Sequence, residues 1–122
     1  MSESTMRIGE VAERTELSFR TLRHYDEIGL VTPSARTDGG FRLYTEGDVA
    51  RILLIRRMKP LGFTLDEMRE LLAVVDAIGT DAADPQVRAR LDAVRAEAAS
   101  RREKLRRQVE MADEFLALLA EI

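Results

Sequence analysis

The sequence predicts a mainly α fold: a helix-turn-helix head with a small β-hairpin wing, followed by one long coiled-coil helix. Three observations carry this expectation. Two short apolar-periodic segments flank the break "TEL" near the N-terminus. Next, "TDGGFRLY" (37–44) sets a turn before alternating apolar and polar residues. Finally, from Pro85 to Ile122 there is no glycine and no second proline, so nothing interrupts helix.

Taken in order, Ile8, Val11 and Ala12 in "MRIGEVAERT" predict a first helix over about Met6 to Arg14. Ser18 stands where an N-cap would open "SFRTLRHYDEIG", with Leu22 and Tyr25 on one face and Gly29 placed to end the helix. Two short helices joined this tightly have the shape of a helix-turn-helix. Pro33 then argues against helix, and Asp38-Gly39-Gly40 is strong turn chemistry, so a two-stranded hairpin is expected over about 30–44. A phosphate-cradling loop is the rival reading of these glycines, but no Lys-Ser/Thr follows them.

Val49, Ile52, Leu53 and Ile55 recur at helical intervals after Thr45, which is placed as a cap, and Pro60 and Gly62 end that helix. Thr64 with Glu67 forms a capping box for the next. The small and polar run "DAIGTDAAD" (76–84) reads as a linker between a head (1–75) and a terminal helix (85–122). Asp84-Pro85 combines a side-chain cap with proline at the first helical position. If helical throughout, the terminal segment spans roughly 57 Å at about 1.5 Å per residue. Val87, Leu91, Val94, Ala98, Arg101 and Leu105 step by alternating fours and threes, a coiled-coil seam with one charged member. After a stutter the seam resumes at Val109, Ala112, Leu116 and Leu119, where Met111, Phe115, Leu118 and Ile122 widen the apolar face. Such a helix cannot bury its own stripe; a second copy of the chain is the most economical partner.

Composition removes several function classes. The 122 residues contain no cysteine and one histidine, which excludes disulfides, thiolate metal sites, iron–sulfur clusters and a cysteine nucleophile. No cofactor is expected. Charged residues make up 34%, suited to exposed helices, while aromatic residues reach only 5%. The net charge of −3 does not announce nucleic-acid binding, yet Arg51, Arg56, Arg57 and Lys59 cluster without an acid among them. No stretch approaches a membrane span and no signal segment opens the chain, so a soluble, cytoplasmic protein is the default.

The order of elements, together with "RTLRHYDEIGL" (20–30), "GGFRLY" (39–44) and "LGFTLDEMRELL" (61–72), resembles the MerR family of bacterial transcription regulators. The resemblance implies a winged helix-turn-helix DNA-binding head and a homodimer held by an antiparallel coiled coil. It further implies binding to an inverted-repeat promoter site, with distortion of the DNA to control transcription by RNA polymerase. Three departures stand out: Glu16 where the family commonly has glycine, Phe41 where it usually has tyrosine, and His24 where it often has an aromatic.

On this resemblance Ser18 to Glu27 is the recognition helix. With Leu22 turned inward, Arg20, His24 and Glu27 line the outer face, and Arg20 is the first candidate for base readout because arginine bonds both acceptors of a guanine edge. Thr21 and Arg23 match the family's Thr-x-Arg and flank the helix toward the backbone. Tyr25 packs its ring inward with its hydroxyl toward phosphate, and Ser18 and His24 complete the helix's DNA-facing set. In the wing, alternation places Phe41 and Leu43 as anchors and turns Arg42 and Tyr44 outward to phosphate. Arg36 and Lys59 are further phosphate candidates. The effector is open between a small organic molecule, a protein partner and none. Two rival classes stay in view: a coiled-coil module whose head binds protein, and an enzyme, for which no catalytic spacing surrounds His24.

Overall fold

The computed structural model describes residues 4–122. The chain divides into two compact units, Met1–Leu72 and Ala73–Ile122. In the first, β1 (Thr5–Arg7) leads into α1 (Ile8–Thr15) and α2 (Phe19–Glu27). Strands β2 (Ala35–Arg36) and β3 (Arg42–Thr45) form the wing, followed by α3 (Glu46–Met58), a 3-10 turn (Lys59–Leu61) and α4 (Leu65–Thr80). The long helix α5 runs from Pro85 to Ala120.

The wing is not the two-stranded hairpin expected from sequence. Residues 5–7, of which Met6 and Arg7 were read as the start of the first helix, pair antiparallel with β3, giving a three-stranded sheet of order β1-β3-β2. The register sets Met6 opposite Tyr44 and Arg36 opposite Arg42. Residues 30–34 lie outside any strand.

Local signals account for most helix ends. The Ser18 hydroxyl accepts the Thr21 N–H at 3.0 Å and opens α2. Gly29, at φ +70, turns the chain after α2 and lets the Leu30 N–H reach the Tyr25 carbonyl at 2.8 Å. Thr45 opens α3 in a complete capping box: its hydroxyl accepts the Asp48 N–H at 3.2 Å, and the Asp48 carboxylate accepts the Thr45 N–H at 2.9 Å. The same Asp48 oxygen also accepts the Ser34 N–H and hydroxyl at 3.0 and 2.7 Å, so a buried carboxylate ties the segment entering the wing to α3. At α4, Thr64 and Glu67 exchange bonds of 2.9 and 3.1 Å. Val11, Leu22, Tyr44, Val49, Ile52 and Ile55 are almost wholly buried and form the centre of the head. Each full burial of a large apolar side chain stabilises by about 1.5–3 kcal/mol, so this core holds the head.

The turn between α1 and α2 keeps the left-handed conformation despite its residue: Glu16 sits at φ 58, ψ 26. Its carboxylate meets Arg56 at 2.6 Å, but 74% of the Glu16 side chain is exposed, so that pair offsets little of the backbone strain. Glu16→Gly is expected to raise head stability by about 0.5–1 kcal/mol, the relief of strain less the added entropy of the unfolded chain. Thermal denaturation checks this; a lower midpoint would mean that the pair with Arg56 outweighs the strain.

Helix α4 continues to Thr80, so only residues 81–84 of the expected linker separate it from α5. Asp84 caps α5 through a 2.9 Å bond to the Gln86 N–H, with Pro85 in its first turn. Along α5, Val87, Leu91, Val94, Ala98 and Arg101 are half-buried, whereas Leu105, Val109, Met111, Phe115, Leu116, Leu118 and Leu119 are exposed. No helix among the described residues is long and apolar enough to cross a membrane.

Candidate nucleic-acid interface

The inner face of α2 is fixed by Leu22 and Tyr25, both buried, which leaves Arg20, Arg23, His24 and Glu27 exposed. Burial pushes the Tyr25 phenol above its ordinary value, in keeping with a ring held in the core. Ser18 is exposed and also donates its hydroxyl to the Thr21 hydroxyl at 2.9 Å. Arg20, Thr21, His24 and Tyr25 share one cleft with Lys59 from the turn after α3. The Arg23 guanidinium lies over the Phe19 ring, 5.8 Å from its centre.

The wing is locked to α2 by a carboxylate that sequence reading passed over. Asp26, near the end of α2, accepts from Arg42 Nε and from Arg36 Nη2 through the same oxygen, both at 2.7 Å. The Asp26 side chain is only 9% exposed, against 24% for Arg42 and 46% for Arg36. Burial opposes the charged carboxylate, but the bonds from Arg42 and Arg36 outweigh it and hold the group below the usual carboxylate range. Helix α2 and the wing are thereby fixed relative to each other, and Arg42 is held through its Nε.

Beside this clamp, Arg7, Arg23, Phe41 and Arg42 line a shallow hollow. Phe41 is 62% exposed and carries the Arg7 guanidinium over its ring at 5.3 Å. It is therefore not the inward anchor expected from alternation. Tyr44 is reversed in the opposite sense: only 1% exposed, its hydroxyl is buried with no hydrogen-bond partner among the described residues. Tyr44 stands opposite buried Met6 of β1, on the sheet face that packs into the head, while Phe41 stands just before the paired segment, at the wing's tip. Burial raises the Tyr44 phenol above its ordinary value.

Residues 6–74 match the family model described as MerR HTH family regulatory protein, and residues 49–114 match that of MerR, DNA binding. The chain belongs to the MerR family. The regulator CueR of Yersinia pestis is 48% identical over 69 residues, covering 57% of this chain and 50% of that protein. The chain spans about half the length of the curated relatives it matches. Among solved structures, MtaN, the N-terminus of the Bacillus subtilis multidrug transporter activator, is 34% identical with a TM-score of 0.60, covering 95% of each chain. HiNmlR, a MerR family regulator lacking the sensor domain and seen bound to promoter DNA, shares the fold at 23% identity with a TM-score of 0.73, over 97% of this chain and 92% of that one. These relatives are transcription regulators and not enzymes.

Within this MerR-family head, the residues named from sequence thus fall into three groups. One is the cleft set of Arg20, Thr21, His24, Tyr25 and Lys59; the second is the clamped pair Arg36 and Arg42; the third is Tyr44, which the fold withdraws from the surface, while Ser18 and Arg23 are exposed on α2 outside the cleft. Arg7 and Asp26 join this surface unannounced, since no local motif links positions that far apart in the chain, and Phe41 joins it where an inward anchor was expected. Tyr44→Phe tests the reassignment. It removes a buried hydroxyl without a partner and is expected to leave the melting temperature unchanged or raise stability by about 1 kcal/mol, with DNA affinity unaltered. A clear loss of affinity in filter binding would return Tyr44 to the phosphate contacts.

Proposed function

We infer that the chain is a homodimeric cytoplasmic regulator of transcription. It binds an inverted-repeat promoter site with one α2 in each half-site and distorts that DNA to control its use by RNA polymerase. The observation that carries this reading is the set Arg7, Arg20, Arg23 and Lys59, which have no carboxylate partner among the described residues although the chain is acidic overall. Cations left unpaired around an exposed helix, beside a wing fixed by its own ion pairs, suit a polyanion better than a protein surface. Arg20 is the base reader, with Arg7, Arg23, Arg42 and Lys59 meeting phosphate and setting the register. Ser18, Thr21, His24 and Tyr25 support the helix's approach, and Arg36 orients the wing. The seam of α5, from Leu91 and Val94 through Ala98, Leu105, Val109 and Ala112 to Leu116 and Leu119, joins two copies as an antiparallel coiled coil. Any effector acts on this dimer as an organic molecule or a protein, because soft-metal chemistry has no thiolate to use.

Binding to a fragment of its own upstream region should weaken steeply with salt. The slope of log affinity against log salt is about −7 if these four cations of each head meet phosphate in the dimer. Arg42→Ala should weaken all sequences alike and flatten that slope by about 2 per dimer. Arg20→Ala should instead relax preference at one base pair per half-site by about 1 kcal/mol. Salt-insensitive binding, or identical behaviour of the two variants, would defeat this division of roles.

A further inference from the structure

The cleft beneath α2 has a chemistry that DNA contact alone does not explain. It encloses about 500 Å³, within the range of sites for small organic molecules. Arg20 and His24 of α2 and Lys59 of the following turn supply its polar rim. Buried Tyr25, Phe63 and Met68 form its floor, with Leu65 of α4 beside them, 40% exposed. No carboxylate lines it, and Arg20, His24 and Lys59 make no ion pair among the described residues. A phosphate backbone uses the rim but gains nothing from an apolar floor, since its charged oxygens favour polar surroundings. A molecule with an apolar body and one anionic group satisfies both surfaces at once.

We propose that this cleft binds a small organic anion, an aromatic or branched aliphatic body carrying a carboxylate or sulfonate. The body covers Phe63, Met68 and Leu65, and the anionic group sits between Arg20 and Lys59. A ligand so placed occupies the side of α2 that carries Arg20 and competes with DNA for it. The competition rests on the promoter reading above; the binding does not.

Naphthalene-2-sulfonate, its uncharged sulfonamide and inorganic phosphate are the probes, titrated into the isotope-labelled full chain and followed by NMR. The sulfonate should shift the amides of Arg20, His24, Phe63 and Met68 saturably, with the sulfonamide about fivefold weaker or more. Lys59→Gln should lower sulfonate affinity by about fivefold and leave the sulfonamide unchanged, whereas Leu65→Ser should weaken both. Shifts confined to the exposed tip of α5 overturn the proposal, as does phosphate binding as tightly as the sulfonate, or Lys59→Gln without effect. In a parallel arm, saturating sulfonate should displace a promoter fragment. A chain that fills the cleft yet binds no DNA supports the cleft and defeats the promoter reading; one that binds DNA with the cleft empty does the reverse.

Discussion

Replacing Leu116 and Leu119 together by aspartate is expected to leave a folded head that scatters light as a monomer and binds a full promoter site about 100-fold more weakly. Both side chains lie on the apolar end of α5, 62% and 47% exposed, alongside Phe115 and Leu118 at 60% and 63%. A contiguous apolar face of this kind on a charged helix marks a surface that a partner covers. In the proposed dimer, two aspartates on the seam would put desolvated charge where the second copy packs. The head keeps its own core within residues 1–72 and should retain its helical signal. The expected loss of affinity comes from separating two half-site contacts that the proposed dimer would make as one event, an effect of about 100- to 10,000-fold in linked binders. Light scattering and gel-shift titration check the two halves independently. A wild-type chain that is monomeric at micromolar concentration would sink the dimer, and a monomeric variant with undiminished affinity would show that one head suffices.

What could be read from the sequence divides by range. The caps at Ser18, Thr45, Thr64 and Asp84 were legible because each is a short-range exchange between a side chain and a backbone N–H within a few residues. Glu16 was marked only by the family's glycine at that position, and the structure shows that the turn keeps its positive φ there. Strand β1 was hidden: three residues carry no period, and its partner Thr45 lies at the far side of two helices and a wing. Alternation sets Arg42 and Tyr44 on one face but does not say which face meets the core, and Met6, buried opposite Tyr44, came from the unseen strand. The Asp26 clamp was equally out of reach, because its arginines lie 10 and 16 residues away across a turn and a strand. The linker was overextended for a different reason. Gly79 costs a helix about 1 kcal/mol, which is too little to end α4 before Thr80.

Asp26→Asn should cost the head about 2 kcal/mol and weaken promoter binding by about tenfold without changing its salt slope. The carboxylate takes two charge-assisted bonds at 2.7 Å in a largely buried position, each worth about 1.5–3 kcal/mol where solvent is excluded and less at the exposed arginine ends. The amide is isosteric but neutral, so Arg36 and Arg42 stay present and lose the group that aims them. Phosphate contacts therefore keep their number, which the salt slope reports, and lose their preorganisation, which the affinity reports. The opposite outcome is physically distinct: if Asp26 chiefly competes with phosphate for the two arginines, the variant binds DNA more tightly than wild type. Acid gives a second readout. Because the folded carboxyl titrates below its ordinary 3.8, the clamp's contribution is fully present above that value and is lost as pH falls through the folded value beneath it. The stability gap between wild type and Asp26→Asn should thus be widest above about pH 5 and should close below about pH 4, as the clamp protonates. A gap that stays constant down to the acid transition would mean that the variant is destabilised by altered packing at the end of α2 and not by the missing charge.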